Sequence, residues 1–177
     1  YWLSDNDCGD PAAAPPSRPM KAIVRCDYGT ADVLRLEQVE TPVPGDDEIL
    51  VRVRAAAINP LDWHEMRGTP YLLRLGSGLR KPKDIRLGVD FAGTVEAVGR
   101  NVTRFKAGDE VFGGRSGALA EYVVVRHDRA VAAKPSNVNF EQAATAGIAA
   151  ITALQALRDA GRLKSGEKVL VNGASGG

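Results

Sequence analysis

The end of the chain carries the residues whose types and spacing point most directly to chemistry. Residues 172–177 read Asn-Gly-Ala-Ser-Gly-Gly and follow residues 168–171, a short apolar run of the kind that fills a parallel sheet. Glycines directly after such a strand let backbone amides approach a pyrophosphate. We therefore predict a buried strand over residues 168–171. The predicted cofactor-binding residues of the turn are Gly173, Ser175, Gly176 and Gly177.

The same glycines are also consistent with an ordinary surface turn, so the local residues leave both interpretations open. A dinucleotide site needs a helix after the turn, whose N-terminus faces the phosphates. That helix would begin beyond residue 177. We therefore expect this chain to hold only the start of a cofactor domain and to be inactive by itself. The residue that selects NAD or NADP would lie about 20 positions further on.

Composition and charge exclude several classes of function. The chain has 177 residues, 44% of them hydrophobic and 25% charged, which is typical of a globular protein with a core. The net charge is +1, without a long run of one sign, so we expect no nucleic-acid partner and no membrane partner. Two cysteines and no recognisable secretory signal favour a cytoplasmic location.

Three segments differ in their patterning. Residues 1–19 are rich in Pro, Ala and Ser and lack periodicity, so we expect a disordered tail. Residues 20–139 have the short strands and Gly, Pro and Asp clusters of an all-β domain. Within it, alternating apolar and polar residues predict strands at residues 20–25, 33–40, 48–57, 93–99 and 120–125, with another strand after the turn at residues 105–109.

The pattern changes to helical near residue 140, where we place a domain boundary. Asn139 and Gln142 have the spacing of a capping box, which predicts a helix start. Residues 148–160 then have helical propensity with apolar residues on one face, and Gly161 ends the run. A helix followed by the strand at residues 168–171 is the entry to an α/β domain over residues 140–177.

Taken together, these segments resemble the medium-chain dehydrogenase/reductase superfamily, and within it the zinc-free quinone oxidoreductase branch. The segments that carry the resemblance are residues 58–62, 88–99, 105–111, 120–123, 152–153 and 172–177. The resemblance implies a mostly β GroES-like barrel domain, followed here by the first helix and strand of a truncated α/β Rossmann domain. The active site would lie in the cleft between the two domains.

The branch is indicated by the residues that replace zinc ligands. Asn59 stands where the alcohol dehydrogenase branch has a cysteine, and Val89 and Asp90 stand where that branch has a His-Glu pair. A catalytic zinc needs three protein ligands. The soft or imidazole side chains of the chain are only Cys8, Cys26, His64 and His127. We therefore expect no zinc site, and without a metal we expect Asp90 to satisfy backbone amides.

Three residues are candidates for catalysis. The resemblance implies that Asn59 faces the cleft, where its amide would donate to a substrate carbonyl. His64 stands where the relatives often have a tyrosine or lysine; its imidazole would donate a proton, and Asp62 would orient that partner. Each also has a structural interpretation: a turn at the Asn59-Pro60 pair, a surface histidine at 64, and an N-cap at Asp62 for a short helix through residue 66. Thr152 resembles the threonine beside the nicotinamide ring, and it is also compatible with a buried hydroxyl that bonds the backbone.

These residues favour a reductase that transfers a hydride from NADPH, or from NADH, to a quinone or another α,β-unsaturated carbonyl without a metal. One alternative is an alcohol dehydrogenase of the same superfamily. Another is a GroES-like module that binds or assembles without catalysis. We expect the partner to be a small carbonyl or quinone substrate, and the full-length protein to be a homo-oligomer.

Overall fold

The computed structural model of the chain describes residues 19–173. It begins with a two-stranded antiparallel sheet of β1 (Pro19–Arg25) and β2 (Leu34–Glu40), which pair from Pro19 opposite Glu40 to Arg25 opposite Leu34. A single 3₁₀ turn at Ala31–Val33 precedes β2. The predicted strands at residues 20–25 and 33–40 are therefore confirmed to within one residue. Residues 1–18 of the predicted tail lie outside the described range.

The second sheet has five antiparallel strands in the spatial order β6-β3-β4-β5-β7. Isolated bridges from Ala22 to Ala120 and from Val24 to Arg86 join the first sheet to the remainder. The result is a mostly-sheet half-barrel, as the GroES-like fold class predicts. The strands are β3 (Glu48–Ala57), β4 (Asp90–Val98), β5 (Glu110–Gly114), β6 (Tyr122–Arg126) and β7 (Val131–Ala133).

Alternation along the strands builds the core. On β3, Ile49 and Val51 are fully buried while Arg52 and Arg54 are exposed, because successive side chains of a strand point to opposite faces. The predicted strand at residues 48–57 matches the structure at both ends. β7 has only three residues, too few for a recognisable alternation. The core cluster consists of Ile49, Val51, Phe91, Val95, Phe105, Val111, Ala118, Val123, Val125 and Val131.

Four α-helices of the described residues lie outside the sheets. They are α1 (Pro60–Arg67), α2 (Arg74–Ser77), α3 (Phe140–Ala144) and α4 (Gly147–Leu154), and α4 continues as a π-helical segment over Gln155–Ala160. The capping box before α3 is confirmed: Gln142 N donates to Asn139 Oδ1 at 2.8 Å and Asn139 N bonds Gln142 Oε1 at 3.1 Å. Within residues 19–173, no helix combines the length and apolar character that crossing a membrane requires.

The predicted helix at residues 148–160 is confirmed, but the predicted strand after it is wrong. Residues 168–171 are not part of any strand, and the Leu170 side chain is 94% exposed. An apolar run forms a buried strand only when neighbouring strands satisfy its backbone groups. No other strand of the described residues pairs with it. Whether residue 140 is a domain boundary stays a prediction.

Helix α4 meets the sheet at Gly147. A Cβ atom placed on Gly147 would overlap the Asp90 Oδ1 atom and lie 2.8 Å from the Gly113 carbonyl oxygen. The start of α4 therefore approaches β4 and β5 more closely than any side chain at this position allows.

We expect Gly147→Ala to lower the free energy of unfolding by about 1–3 kcal/mol, because the added methyl group must displace Asp90 or the helix. Urea denaturation measures this change. Gly76→Ala is the matched control: it lies in α2, where a Cβ meets nothing within 4 Å, and alanine is preferred to glycine in a helix by about 0.5–1 kcal/mol. Equal effects of the two substitutions would contradict the close approach at Gly147.

Candidate functional site

The first turn of α1 brings Asn59 and Asp62 together. Leu61 N donates to Asn59 Oδ1 at 2.8 Å, and Asn59 N donates to Asp62 Oδ2 at 2.8 Å. These bonds form a capping box, with Pro60 at a position that needs no N–H. The N-cap is therefore Asn59, and the prediction of Asp62 as the N-cap is wrong. Asp62 occupies the third helical position, and its carboxylate satisfies the backbone of Asn59.

The Asn59 side chain also contacts Asp90, at the start of β4. Asn59 Nδ2 donates to Asp90 Oδ2 at 2.8 Å, and the backbone N of Ile148 in α4 donates to Asp90 Oδ1 at 2.8 Å. Asp90 is 1% exposed. The expectation that Asp90 satisfies backbone amides is confirmed for Ile148. Its second partner, the Asn59 amide, was missed because 31 residues separate the two positions and no local pattern joins them.

Both carboxylates of this site are held away from water. Burial raises the pKa of Asp90, and the hydrogen bonds from Asn59 and from the Ile148 amide oppose that rise. Burial also raises the pKa of Asp62; the Asn59 amide opposes the rise and the nearby charge of Asp90 adds to it. Asp62 Oδ1 has no protein hydrogen-bond partner, although the Val89 amide is near enough to stabilise its charge. Burial thus disfavours the state in which the Asp62 and Asp90 carboxylates are both ionised.

His64 lies in the middle of α1 and is held by a different group. Its Nδ1 atom is 2.7 Å from the Thr69 carbonyl oxygen, and its ring packs edge-to-face on Trp63 with 4.9 Å between centroids. A carbonyl only accepts hydrogen bonds, so Nδ1 carries the proton and Nε2 of the neutral ring is an acceptor. Thr69, rather than Asp62, therefore orients the imidazole. Sequence reasoning missed this contact because a backbone carbonyl leaves no residue-type signal.

The predicted cofactor residues lie apart from this cluster. Thr152 is exposed on α4, one turn beyond Ile148, so it is not a buried hydroxyl. Gly173 is exposed in a turn with φ of 74°, the left-handed region that favours glycine. The remaining predicted turn residues, Ser175, Gly176 and Gly177, lie outside the described residues. The structure thus brings together Asn59, Asp62 and Asp90, with His64 on the same helix.

Large apolar side chains are exposed on the segment that contains α1 and the residues after it. They are found directly before Asn59, on α1, and at residues 71–79, which follow α1 and include α2. We call them the 58–79 apolar surface: Ile58, Leu61, Trp63, Tyr71, Leu72, Leu73, Leu75 and Leu79. Irregular segments of this kind commonly carry binding residues, and we predict that this one supplies substrate contacts.

The side chains that could bind a metal lie apart from one another in the described residues. In the part of the chain that it describes, no three His, Cys, Asp or Glu side chains come together as a metal-binding group. The zinc independence of the reaction remains a prediction.

The family of the chain follows from its sheet domain. Residues 45–136 match the alcohol dehydrogenase GroES-like domain, and these residues make up just over half of the chain. The chain belongs to this family. The matched range includes Asn59, Asp62, His64 and Asp90, so the whole cluster lies within the matched domain.

Individual relatives narrow the resemblance to quinone oxidoreductases. The quinone oxidoreductase of Lama guanicoe is 38% identical over 164 residues, covering 90% of this chain and 47% of that protein. The 2-methylene-furan-3-one reductase of Solanum lycopersicum is 39% identical over 171 residues, covering 89% and 42%. The Escherichia coli quinone oxidoreductase complexed with NADPH matches with a TM-score of 0.67 at 28% identity, covering 79% and 41%. The chain spans somewhat less than half the length of these relatives, and the predicted resemblance is confirmed.

We expect the stability of the chain to depend on pH through Asp62. A carboxyl group whose pKa is raised by folding binds more protons in the folded state, so its contribution is complete at acidic pH and is lost as the pH rises through the raised pKa. Asp62→Asn keeps an acceptor for Asn59 N and removes this titration. The variant should therefore gain stability relative to wild type as the pH rises from about 4 to about 8.

Urea denaturation across that range measures the difference between the two proteins. Asp27→Asn, at a carboxylate that is 62% exposed, is the control and should run parallel to wild type. A parallel curve for Asp62→Asn as well would show that Asp62 has an ordinary environment.

Proposed function

We propose that the protein is a NAD(P)H-dependent reductase of quinones and other α,β-unsaturated carbonyls that needs no metal. The observation that carries the proposal is the fixed Asn59 amide, held by Leu61 N on its oxygen and by buried Asp90 on its nitrogen. A hydrogen-bond donor at this position takes the place of a zinc ligand in the related alcohol dehydrogenases. The similarity to quinone oxidoreductases supports the same conclusion.

The chemistry requires little of the protein besides alignment and a donor. A bound dihydronicotinamide would supply the hydride to the β-carbon of the acceptor, and the electron pair of the double bond moves onto the carbonyl oxygen. The second proton of Asn59 Nδ2 is not used by Asp90, and it is available to that oxygen. A preorganised donor of this kind stabilises the developing negative charge.

The part of His64 in this reaction concerns only the donation of a proton. The only N–H of its neutral ring is used by Thr69, so the ring donates a proton from Nε2 only as imidazolium. We propose that His64 supports protonation of the product in that form. Asp62 acts on Asn59, whose backbone it binds, and its contribution is to hold the N-cap in place.

The chain has features that fit a nicotinamide dinucleotide. Gly173 has a left-handed backbone, and no atom of residues 19–173 lies within 4 Å of where its Cβ would be, an arrangement that is compatible with the approach of a phosphate. Thr152 is exposed on the helix that precedes this turn. We propose NADP as the cofactor, with NAD as the alternative, because the Escherichia coli relative is complexed with NADPH.

The substrate class rests on the similarity to quinone oxidoreductases, and the exposed aromatic and aliphatic side chains of the 58–79 apolar surface are compatible with it. Flat, apolar acceptors such as quinones and enones gain from burial against such a surface. A homo-oligomeric state of the full-length protein and a cytoplasmic location complete the proposal.

Direct transfer is tested with NADPH deuterated at C4 and a simple enone, 3-penten-2-one. We expect the full-length protein to place one deuterium on the β-carbon of the saturated product, as mass spectrometry and NMR would show, and to keep its rate after dialysis against EDTA. Loss of activity with EDTA and recovery with zinc would instead identify an alcohol dehydrogenase. A full-length protein that binds neither dinucleotide would be a non-enzymatic module, and the proposal would fail.

A further inference from the structure

Asp90 lies between the start of α1, where Asn59 is the N-cap, and the first turn of α4. The proposed reaction requires a fixed relative position of these two helices. Each oxygen of its carboxylate accepts one hydrogen bond at 2.8 Å: Oδ2 from the side chain of Asn59, and Oδ1 from the backbone of Ile148. With 1% of its surface exposed, the carboxylate is closed to solvent in this structure and has no direct path to a substrate.

These bonds determine which way the Asn59 amide faces. An ionised carboxylate only accepts hydrogen bonds, and the Leu61 N–H only donates. Turning the amide over would place its oxygen against the Asp90 carboxylate and its NH₂ group against Leu61 N. Both contacts would be repulsive, so a single orientation of the Asn59 amide is compatible with its surroundings.

The same carboxylate fixes the amide relative to α4. Ile148 is in the first turn of α4, and the positive end of the helix dipole favours a carboxylate there. The absence of a side chain at Gly147 lets Asp90 approach that turn. Thr152, the predicted neighbour of the nicotinamide, is four residues further along the same helix.

We propose that Asp90 is a positioning residue for the reduction: it keeps the N–H of Asn59 available to the substrate oxygen and ties that donor to the helix on the cofactor side. Asp90 acts through Asn59 and contacts neither substrate nor cofactor. This inference rests on the proposed function, and it adds a residue outside the predicted catalytic set.

Three variants of the full-length protein test the inference, because residues 59 and 90 are able to exchange their chemical roles. Asp90→Asn places two amides face to face, and Asn59→Asp places two carboxylates face to face. In the double variant N59D/D90N, the new asparagine donates to residue 59 and accepts from Ile148 N, while the new aspartate accepts from Leu61 N. Every hydrogen bond of the site is then restored, but residue 59 has no N–H for the substrate.

We expect Asp90→Asn to lower kcat about tenfold or more while KM for NADPH stays within about twofold, since a transition-state interaction is lost without loss of binding. The double variant should recover the wild-type Tm to within about 2 °C and keep the low kcat. Recovery of kcat together with Tm would overturn the inference, because the contacts would then be structural only. An Asp90→Asn variant with wild-type kcat would overturn it as well.

A wild-type protein that reduces neither quinones nor enones would defeat the proposed function separately. The orientation of the amide is then decided by NMR of the Asn59 side-chain NH₂ group. Exchange of the Asn59 NH₂ protons with solvent that is slow in wild type and much faster in Asp90→Asn would support the positioning contact. Equally fast solvent exchange in the two proteins would contradict it.

Discussion

The structure of the site depends on the buried carboxylate of Asp90, which requires hydrogen-bond donors from the protein in place of water. Removing an ionised carboxylate from water costs several kcal/mol unless polar groups replace the solvent. Asp90 obtains its donors from two segments far apart in the chain, the N-cap of α1 and the first turn of α4. Satisfying this single side chain therefore holds both helices against the start of β4.

Small residues around Asp90 make this arrangement possible. β4 pairs with β5 so that Asp90 is opposite Gly114 and Phe91 is opposite Gly113. A Cβ on Gly114 would lie 3.7 Å from Asp90 Oδ1, and one on Gly147 would overlap the same atom. The carboxylate thus occupies a space that a side chain at Gly147 would restrict, whereas a Cβ at Gly114 would make only ordinary van der Waals contact with it. The resulting contact joins the half-barrel to α4.

Local signals in the sequence were sufficient for most of the fold. The alternation at residues 48–57, the Asn139 capping box and the helical run at residues 148–160 depend on neighbours within one element, and all three are confirmed. The strand at residues 168–171 failed because an apolar run becomes a strand only beside other strands. β7 was missed because three residues are too few to show a period.

The site was only partly predictable for the same physical reason. Asn59 and Asp62 belong to one helical turn, so their proximity follows from spacing, although the N-cap assignment went to the wrong residue. The Asp90 contacts span 31 and 58 residues. Long-range contacts of this kind are determined by strand register and helix docking, which no single segment of the sequence encodes.

The most direct test of this account is an NMR pH titration that follows the Asp90 carboxyl carbon together with the nitrogen signals of Asn59 Nδ2 and Ile148. If one carboxylate accepts from both donors, the three signals will move with a common midpoint that lies above the ordinary aspartate value of about 3.9. If the two nitrogens do not follow the Asp90 carbon, the carboxylate does not join α1 to α4, and the account of the site is wrong.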